Sequence, residues 1–447
     1  MNKDETAGSL SLRWDERLFL GMYQFGMNVL FPPVLLALSP ILLIKRKRRT
    51  TLLPRMGFQR FPEPFPSKAR EKVLWIHALS VGELLSAAPL IRELHLRIKP
   101  AKLYVSVSTL SGHETARDKL EGFFDGLFYF PLDLLFAVRR CFANLKPSLF
   151  VLVETDIWPG FMAELRRQGI PSFLINARLS PSSFKRYGQT KRLFSPALNS
   201  FDRIYPQSPS DAEHFGRLGV KREKLAEPGN LKFDAAKASR SSVPLEQLGA
   251  KLGLQKGERV LVAGSTHEGE EAILRASFLQ LRQSLPGLKL LIAPRHPHRA
   301  EEVRRVFIRD PFKVVFYSSL PQDHYDVGVV DEFGVLGALY EFGDLAYVGG
   351  SLVPKGGQNP VEPAAAAKPV LFGPDMSDFQ DIARWMLKEG GAIEVKNGEE
   401  LTAQAHRLLS DSALSASLGA KNKALVERNA GVTSKIAEDI LEYLLKA

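Results

Sequence analysis

Two glutamates in this sequence stand where a carboxylate could take a proton from a substrate hydroxyl group. Glu83 ends the segment H-A-L-S-V-G-E, which follows an apolar run, and it opens the next predicted helix. Backbone N–H groups at a helix start should keep this carboxylate ionised. An ionised carboxylate can act as a general base, a role typically worth about 10²–10⁴ in rate. A glutamate at a helix start also fits a purely structural role as a cap, and the residue by itself does not decide between the two.

The second glutamate, Glu154, follows the apolar part of V-L-V-E-T-D-I-W-P. Burying a carboxylate there costs on the order of several kcal/mol unless it is paired or hydrogen-bonded. That cost indicates a purpose, either contact with an acceptor substrate or a structural tie to a loop. Asp156 is predicted to cap the following helix, with Pro159 near its first position.

Three basic residues lie where they could reach a shared anionic ligand. They are Arg178 in N-A-R-L-S, Lys232 in G-N-L-K-F-D and Arg295 in A-P-R-H-P. Each closely follows an apolar run or lies near the predicted domain junction. A single Lys or Arg is most often a solvated surface charge, but three in similar positions favour convergence on one anion.

Two loops of the second half combine small residues with a helix start, which suits phosphate binding. In A-G-S-T-H-E-G-E-E, Ser265 and Thr266 are predicted to cap the following helix. The other loop begins with V-G-G-S, which places Gly349, Gly350 and Ser351 directly after an apolar run. Neither loop matches the G-x-G-x-x-G fingerprint or the P-loop motif, so neither dinucleotide nor P-loop ATP binding is predicted.

The second of these loops ends in G-G-Q-N-P-V-E-P, where Asn359 and Pro360 are predicted to start a helix. Glu362 then falls in the first helical turn, where its carboxylate could accept hydrogen bonds from two ribose hydroxyls. A first-turn carboxylate that interacts only with the helix dipole is the structural alternative.

No metal site is predicted. The segment His267–Glu271 is not an H-E-x-x-H motif, and His296 and His298 flank Pro297 without a third ligand at a useful spacing. The single cysteine, Cys141, excludes an intramolecular disulfide and a cysteine-cluster metal site.

The elements that must position these residues are short strands alternating with helices. With 447 residues, 45% hydrophobic and 24% charged, the chain is an ordinary folded one of two to three domains. The predicted strands are Val73–Ile76, Leu103–Val107, Leu149–Val153, Ser172–Ile175 and Arg203–Tyr205 in the first half, and Arg259–Ala263, Leu288–Ala293, Lys313–Phe316, Asp344–Val348 and Pro369–Phe372 in the second. Such alternation predicts two doubly wound parallel-sheet halves that bind ligands in the cleft between them, at the carboxyl ends of the strands. Between Gly229 and Gly257 the pattern is less regular, and the domain junction is predicted there.

The N-terminal segment predicts membrane attachment. Residues Leu18–Ile44 carry no charge, and Lys45–Arg49 are all basic. The stretch is long enough to span a bilayer, but Pro32, Pro33 and Pro40 should interrupt it, so either a kinked span or an embedded amphipathic anchor fits. The net charge is +11, and the basic excess after the apolar stretch predicts a cytoplasmic body and attraction to anionic lipids. Nucleic-acid binding is not predicted, because no basic stretch interleaved with aromatic residues recurs later.

Together these motifs resemble the Kdo transferases of lipopolysaccharide synthesis, the 3-deoxy-D-manno-octulosonic acid transferases of glycosyltransferase family 30. The resemblance covers nearly the whole chain and rests on seven ordered blocks: H-A-L-S-V-G-E, E-T-D-I-W-P, N-A-R-L-S, G-N-L-K-F-D, S-T-H-E-G-E-E, P-R-H-P and G-G-Q-N-P-V-E-P. It implies a GT-B fold made of an anchor with its basic flank (1–49), a Rossmann-like acceptor domain (50–235), a Rossmann-like CMP-sugar domain (236–425) and a C-terminal helix that packs back towards the first domain (426–447).

The resemblance also implies the chemistry, which is an inverting transfer of Kdo from CMP-Kdo to the lipid A precursor lipid IVA, without a metal or other cofactor. Glu83 matches the general base and Glu154 the second functionally important acid, and Ser80, Gly82 and Arg178 are expected on the acceptor side. The residues expected on the donor side are Arg295, His296, Pro297, Gly349, Gly350, Ser351, Asn359, Glu362, Ser265, Thr266 and Lys232. Asp156 stands where a glutamate is common in the family. A GT-B transferase with a different nucleotide-sugar donor and a membrane-tethered binding protein are the alternatives that the residues leave open.

Overall fold

The computed structural model describes residues 12–44, 46–61, 72–240, 244–255, 257–321 and 324–446. The described chain divides into two compact units. Unit 1 contains the residues up to Leu231 together with those from Gly431 onwards, and unit 2 is Lys232–Ala430.

The N-terminal segment of unit 1 is helical. Helix α1 (Trp14–Phe25) continues through a π-helical turn (Gly26–Leu30) into α2 (Phe31–Ile44), and α3 (Arg46–Arg55) follows. The predicted interruption at the prolines is therefore wrong for Pro32 and Pro33. These two prolines occupy the first turn of α2, where their fixed φ is compatible with a helix and their missing N–H groups cost little, and the wider π turn comes directly before them. Of the basic run, Lys45 lies outside the described residues.

One face of this helical segment is apolar and exposed. The stretch Trp14–Leu38 is long and apolar enough, by length and composition, to cross a membrane. Trp14, Met22 and Leu36 are 78%, 62% and 75% exposed. The other face of α1 lies against unit 1, where Arg192 Nε is 3.6 Å from Asp15 Oδ2.

The sheet of unit 1 is parallel, with strand order β3-β2-β1-β4-β5-β6. Its strands are β1 (Val73–Ala78), β2 (Lys102–Val107), β3 (Gly126–Tyr129), β4 (Leu149–Val153), β5 (Ser172–Ala177) and β6 (Arg203–Pro206). The strands are apolar on both faces because both faces are covered: Trp75 packs in one cluster with Phe150, while Leu74 and Ile76 pack in another. Strand β3 was not predicted, since it is short and lies at the sheet edge.

Helices connect these strands as parallel topology requires. They are α4 (Val81–Arg97), α5 (Leu110–Leu120), α6 (Leu135–Leu145), α7 (Pro159–Arg167), α8 (Pro181–Gln189), α9 (Lys191–Leu198) and α10 (Pro209–Arg217).

Unit 2 contains a second parallel sheet, with strand order β13-β12-β11-β7-β8-β10-β9. Its strands are β7 (Arg259–Thr266), β8 (Leu288–Pro294), β9 (Val314–Phe316), β10 (Val327–Val329), β11 (Leu345–Val348), β12 (Val370–Phe372) and β13 (Ala392–Glu394). The three-residue strands β10 and β13 were not predicted. Two parallel-sheet α/β domains confirm the predicted fold class.

The helices of unit 2 begin in the segment that was expected to be irregular. The segment between Gly229 and Gly257, where the domain junction was predicted, contains α11 and α12, and the boundary between the two units lies at its start, between Leu231 and Lys232. The helices are α11 (Leu231–Arg240), α12 (Leu245–Leu252), α13 (Glu270–Ser284), α14 (Ala300–Phe307), α15 (Leu336–Leu339), α16 (Val361–Ala365), α17 (Gln380–Glu389), α18 (Gly398–Ser410) and α19 (Ser412–Asn429).

The last helix, α20 (Val432–Lys446), belongs to unit 1 and contacts α4. Its buried Ile436 and Ile440 join the cluster that covers one face of the first sheet. Asp439 Oδ2 accepts a hydrogen bond from the Tyr205 hydroxyl at 2.6 Å.

Candidate active site

One candidate site lies at the carboxyl edge of the unit 1 sheet. Strands β1 and β4 are parallel neighbours, so the loops that follow them, which carry Glu83 and Glu154, emerge side by side. Ser80 is the N-cap of α4 and its Oγ accepts from the Glu83 N–H, while Glu83 Oε2 accepts from the Leu79 N–H at 2.5 Å. Glu83 is 8% exposed. The glutamate therefore takes part in ordering the helix start as well as in forming the site.

The Glu83 carboxyl group is not held in its ionised form, contrary to the expectation from its helix start. Burial, together with the negative charge of Glu154, raises its pKa to about 8, and the hydrogen bond from Leu79 only partly opposes these effects. Desolvation and a like charge outweigh a single backbone donor. A carboxyl group that titrates near neutral pH suits proton transfer.

Glu154 lies just beyond β4 in an unusual backbone conformation, with φ of +59°. Its N–H donates to Ile175 O at 2.9 Å, and the Asn176 amide donates to its Oε1 at 3.5 Å. Asn176, at the adjacent end of β5, also has a left-handed φ of +53° and is fully buried. Left-handed residues other than glycine cost of order 1–3 kcal/mol each and cluster at functional sites.

Asp156 does not cap α7, so that prediction is wrong. The N-cap position is Trp158, whose indole Nε1 donates to Asp156 Oδ2 at 2.9 Å. The same oxygen lies 3.8 Å from His77 Nε2. Burial raises the pKa of Asp156, but the nearby His77 ring, the hydrogen bond from Trp158 and the charge of Arg55 bring it below its ordinary value.

His77 and Arg55 are residues of this edge that the sequence did not reveal. His77 is fully buried, which lowers its pKa, and its Nδ1 lies 3.0 Å from the carbonyl oxygen of Ser106. His77 belongs to the H-A-L-S-V-G-E block, so the motif contained the signal. Arg55 is the last residue of α3, and none of the seven motif blocks contains it.

The acceptor-side candidates follow the two strands that flank β4. Ser80 and Gly82 follow β1, and a Cβ at Gly82 would meet nothing closer than 3.9 Å. Arg178 follows β5, and its carbonyl oxygen accepts from the Thr155 hydroxyl. The sheet order therefore brings these three candidates to the same edge as Glu83.

A second candidate site lies at the carboxyl edge of the unit 2 sheet. There β8, β7, β11 and β12 are consecutive neighbours. The loops after them contain Arg295, Ser265, Gly349 and the other donor-side candidates.

Glu270 organises these loops. Its carboxylate accepts four backbone N–H groups, those of His267 (2.9 Å), Gly350 (2.6 Å), Ser351 (3.1 Å) and Leu352 (3.1 Å), and the Tyr347 hydroxyl at 2.7 Å. The N–H groups of Gly350 and Ser351, which were expected to be exposed for a phosphate, are therefore already bonded inside the protein. The Ser351 hydroxyl is also used internally, since its Oγ accepts from the Gly373 N–H at 2.8 Å.

Ser265 and Thr266 do not cap the next helix, contrary to prediction. They end β7, and α13 starts at Glu270, after Gly269. The Thr266 hydroxyl donates to Glu271 Oε1 at 3.2 Å. A Cβ at Gly349 would lie 2.5 Å from Ser265 O, so a glycine is required there by the close approach of β7 and β11 rather than by a ligand.

The loops after β7, β8 and β11 bring three basic residues within electrostatic reach of His267. These residues, Arg295, His296 and Lys355, are called the cationic group. Burial lowers the pKa of His267, and the charges of Arg295, His296 and Lys355 lower it further. His267 Nε2 is 3.3 Å from Gln358 Nε2. His267, Lys355 and Gln358 were not among the predicted site residues, although all three lie inside the glycine-rich loops that were.

Glu362 is the second residue of α16 and accepts from the Asn359 amide at 3.3 Å. Burial raises its pKa, whereas the Asn359 hydrogen bond and the Arg295 charge lower it. Arg295 and Glu362 thus lie within electrostatic reach of each other. Asn359 Oδ1 also accepts from the Val361 N–H at 3.1 Å, which confirms the predicted helix start.

The remaining donor-side candidates are Pro297 and Lys232. Pro297 begins a 3₁₀ turn, Pro297–Arg299, after His296. Lys232, in α11, has its Nζ 4.8 Å from the ring centroid of Phe379, in the loop after β12. Within the described ranges, no group of three or more His, Cys, Asp and Glu side chains could hold a metal ion.

The two sheets with their functional loops define the class of fold. A glycosyltransferase from Rickettsia africae ESF-5 aligns with a TM-score of 0.55 at 13% identity, over 85% of this chain and 99% of that one. The UDP-GlcNAc 2-epimerase from Neisseria meningitidis aligns with a TM-score of 0.56 at 15% identity, over 84% and 100% of the two chains. At these identities the likeness concerns the fold alone, which is that of the GT-B glycosyltransferases.

Sequence comparison identifies the family. The 3-deoxy-D-manno-octulosonic-acid transferase (kdotransferase) family matches residues 51–235. The 3-deoxy-D-manno-octulosonic acid transferase of Haemophilus influenzae is 31% identical over 419 residues, 92% of this chain and 96% of that protein. The one of Aquifex aeolicus is 32% identical over 358 residues, 79% and 92% of the two chains. The chain belongs to the Kdo transferase family and is a glycosyltransferase, as its seven motif blocks predict.

Proposed function

We propose that the protein moves Kdo from CMP-Kdo to the lipid A precursor lipid IVA, with inversion at the anomeric carbon and Glu83 as the general base. The acceptor hydroxyl oxygen bonds to the anomeric carbon, and the bond from that carbon to the CMP phosphate oxygen breaks. CMP leaves with the electron pair, and the hydroxyl proton passes to Glu83. The reaction is proposed to need no metal or other cofactor.

The observation that carries this proposal is the Glu83 carboxyl group. It is buried at a strand end, lies within electrostatic reach of Glu154 and Asp156, and has a pKa of about 8. A base with a pKa near the working pH combines a sizeable ionised fraction with enough basicity to accept a proton. Glu154 is proposed to raise the basicity of Glu83 and to contact the acceptor.

The cationic group of unit 2 supports an anionic donor. CMP-Kdo carries a phosphate and a sugar carboxylate, and Arg295, His296 and Lys355 would offset the charge that develops on the departing CMP. Glu362, partly exposed beside Asn359, is proposed to accept from the ribose hydroxyls. Lys232 is proposed to bind the same donor, CMP-Kdo.

The apolar exposed face of α1 and α2 supports work at a membrane. We propose that this face enters the cytoplasmic leaflet of the inner membrane, that the basic flank binds anionic lipids, and that both unit sheets lie on the cytoplasmic side. The attachment keeps the enzyme at the surface that contains its lipid acceptor.

A donor panel tests the proposal. The full-length protein is incubated with lipid IVA and CMP-Kdo, or with UDP-sugars, and the products are weighed by mass spectrometry. We expect a mass increase of one or more Kdo units with CMP-Kdo alone. Turnover of a UDP-sugar without turnover of CMP-Kdo would reject the donor, and transfer to water alone would reject the acceptor.

A further inference from the structure

The N-terminal helices are joined to the catalytic edge by a buried carboxylate that the mechanism above does not use. Asp133 is 3% exposed. Its Oδ2 accepts from the Tyr23 hydroxyl of α1 at 2.7 Å and from the Gly160 N–H of α7 at 2.9 Å. One oxygen atom therefore holds the apolar N-terminal segment and the start of the helix that follows Glu154 and Asp156.

The fit around Asp133 is tight. A Cβ added at Gly160 would lie 2.7 Å from Asp133 Oδ1, so only glycine lets the first turn of α7 approach this carboxylate. Burial raises the pKa of Asp133, and the negative charge of Asp156 adds to the effect. The Asp133 carboxylate thus lies within electrostatic reach of Asp156.

Asp133 belongs to a loop, residues 130–135, that is tied to the N-terminal helices at further points. The Leu135 N–H donates to Asn28 Oδ1 at 2.7 Å. The Leu132 N–H donates to Arg55 O at 2.7 Å, and the Arg55 Nε donates to Phe130 O at 3.1 Å. Bonds from α1, the π turn and α3 therefore determine where this loop lies.

The other side of the same loop touches the catalytic edge. The Phe130 ring stacks on His77, with 3.8 Å between the ring centroids. His77 in turn lies 3.8 Å from Asp156. The loop thus contacts both the strand that leads to Glu83 and the segment that contains Glu154 and Asp156.

A membrane tether alone does not need these contacts. The outward face of the helices, with Trp14 and Leu36 exposed, would suffice for a bilayer. The inward bonds of Tyr23 and Asn28 are directional, and buried hydrogen bonds of this kind select one arrangement of the groups they join.

We propose that the N-terminal helical segment is a positioning element of the acceptor site. Seated through Tyr23 and Asn28 on the 130–135 loop, it fixes the 154–160 segment and thereby the setting of Glu154 and Asp156 around Glu83. This inference rests on the proposed function in one part of its test, the kinetic measurement with lipid IVA. The positioning residues are Tyr23, Asn28 and Asp133.

The test uses the full-length protein and three variants. Tyr23→Phe removes one hydroxyl and Asn28→Leu removes the second tie, while both retain side chains of similar size. Met22→Ser is the matched control, because Met22 neighbours Tyr23 but is exposed on the outward face. Thermal melting establishes that each variant is folded.

The first readout is hydrogen exchange of the backbone amides of Trp158 and of residues 160–162, which needs no substrate. We expect the Gly160 amide to exchange about tenfold faster in Tyr23→Phe, because its acceptor Asp133 loses its second tie. We expect Met22→Ser to leave this exchange unchanged and to reduce sedimentation with anionic phospholipid vesicles instead. Unchanged exchange in both Tyr23→Phe and Asn28→Leu would overturn the proposal.

The second readout is kinetics with detergent-dispersed lipid IVA, where membrane binding does not limit the rate. In Tyr23→Phe we expect kcat/KM for the acceptor to fall about five- to twentyfold while the KM for CMP-Kdo stays unchanged. Faster exchange with unaltered acceptor kinetics would make the contacts merely structural and would overturn the proposal. If the unmodified protein transfers no Kdo, the proposed function fails, whereas the exchange measurement still decides whether the helices hold the 154–160 segment.

Discussion

Glu83 and Glu270 occupy similar places in the two units and differ in what surrounds them. Each follows the first strand of its sheet and lies in the first turn of the next helix. Glu83 receives one backbone N–H on its carboxylate and faces two other carboxylates. Glu270 is fully buried and receives five donors, four of them backbone N–H groups.

The difference shows how one residue type serves two purposes. A carboxylate with a full set of donors is a structural hub, since every lone pair holds a piece of the chain. A carboxylate with too few donors and like charges nearby keeps a proton up to neutral pH and is available for chemistry. The environment, not the helix start, separates a cap from a base.

The sharpest test of this comparison is Glu83→Gln, which retains the shape and loses the basicity. We expect kcat to fall about 10³-fold, within the range of general-base contributions, while CMP binding persists. Steady-state assays with CMP-Kdo and lipid IVA measure the loss, and titration calorimetry measures CMP binding. Glu121→Gln, an exposed substitution, is the matched control and should leave kcat unaltered. A Glu83→Gln enzyme with more than a tenth of the original kcat would show that Glu83 is only a cap.

The opposite result is expected for Glu270→Gln, which should cost stability. An amide cannot accept from all five donors, so buried N–H groups lose their partner, at a cost of about 3–5 kcal/mol in the free energy of unfolding. Denaturant unfolding measures it, with the exposed neighbour Glu268→Gln as control. A loss below about 1 kcal/mol would contradict the hub assignment.

Glu83→Gln should instead be more stable than the original protein in alkaline solution. The pKa of Glu83 is raised from 4.5 to about 8 by folding, so its stabilising contribution is complete below about pH 4.5 and is lost as the pH rises through 8. Glutamine loses nothing over this range. At pH 9 we expect Glu83→Gln to unfold with a free energy about 2 kcal/mol higher than the original. If the difference in unfolding free energy between Glu83→Gln and the original protein were the same at pH 5 and at pH 9, the pKa of Glu83 would not be raised by folding.

The acidic limb of the pH–rate profile, where kcat/KM rises with pH, should follow the ionisation of Glu83. Because only ionised Glu83 acts as a base, kcat/KM should rise with pH up to about 8 and then level off. Glu154→Gln removes a neighbouring negative charge and should move this limb about one pH unit towards acid, with Glu114→Gln as a control outside the cluster. If the acidic limb did not move in Glu154→Gln, the charge of Glu154 would have no influence on the pKa of Glu83.

The smallest effect is expected from chelation. Because catalysis is proposed to rest on Glu83 and on cationic side chains, EDTA should change kcat by less than about twofold. Loss of activity on chelation, with recovery on adding a divalent cation, would show that the cation offsets the charge on the departing CMP, a role that we assign to Arg295 and Lys355.

Much of the site was predictable because parallel topology makes strand ends converge. The apolar runs locate β1, β4, β7, β8 and β11, and the residues after them meet at one edge of their sheet. Glu270 was seen only as part of a metal-like string, since four of its five partners, one in β11 and three in the loop after it, lie 77 to 82 residues away. His77 and Arg55 were missed for the same reason.

By itself the sequence determined the family, the alternation of strands and helices, and the positions of Glu83, Glu154, Arg295 and Glu362 in the segments that follow strands. These properties depend on local patterns and on the order of the motif blocks. Both are visible along the chain without knowledge of the fold. Only the tertiary structure decided which carboxyl group has a raised pKa, that Asp156 faces His77 instead of capping α7, and that Asp133 joins α1 to the start of α7. Burial, donor supply and neighbouring charge come from residues distant in the chain, so no local pattern contains them.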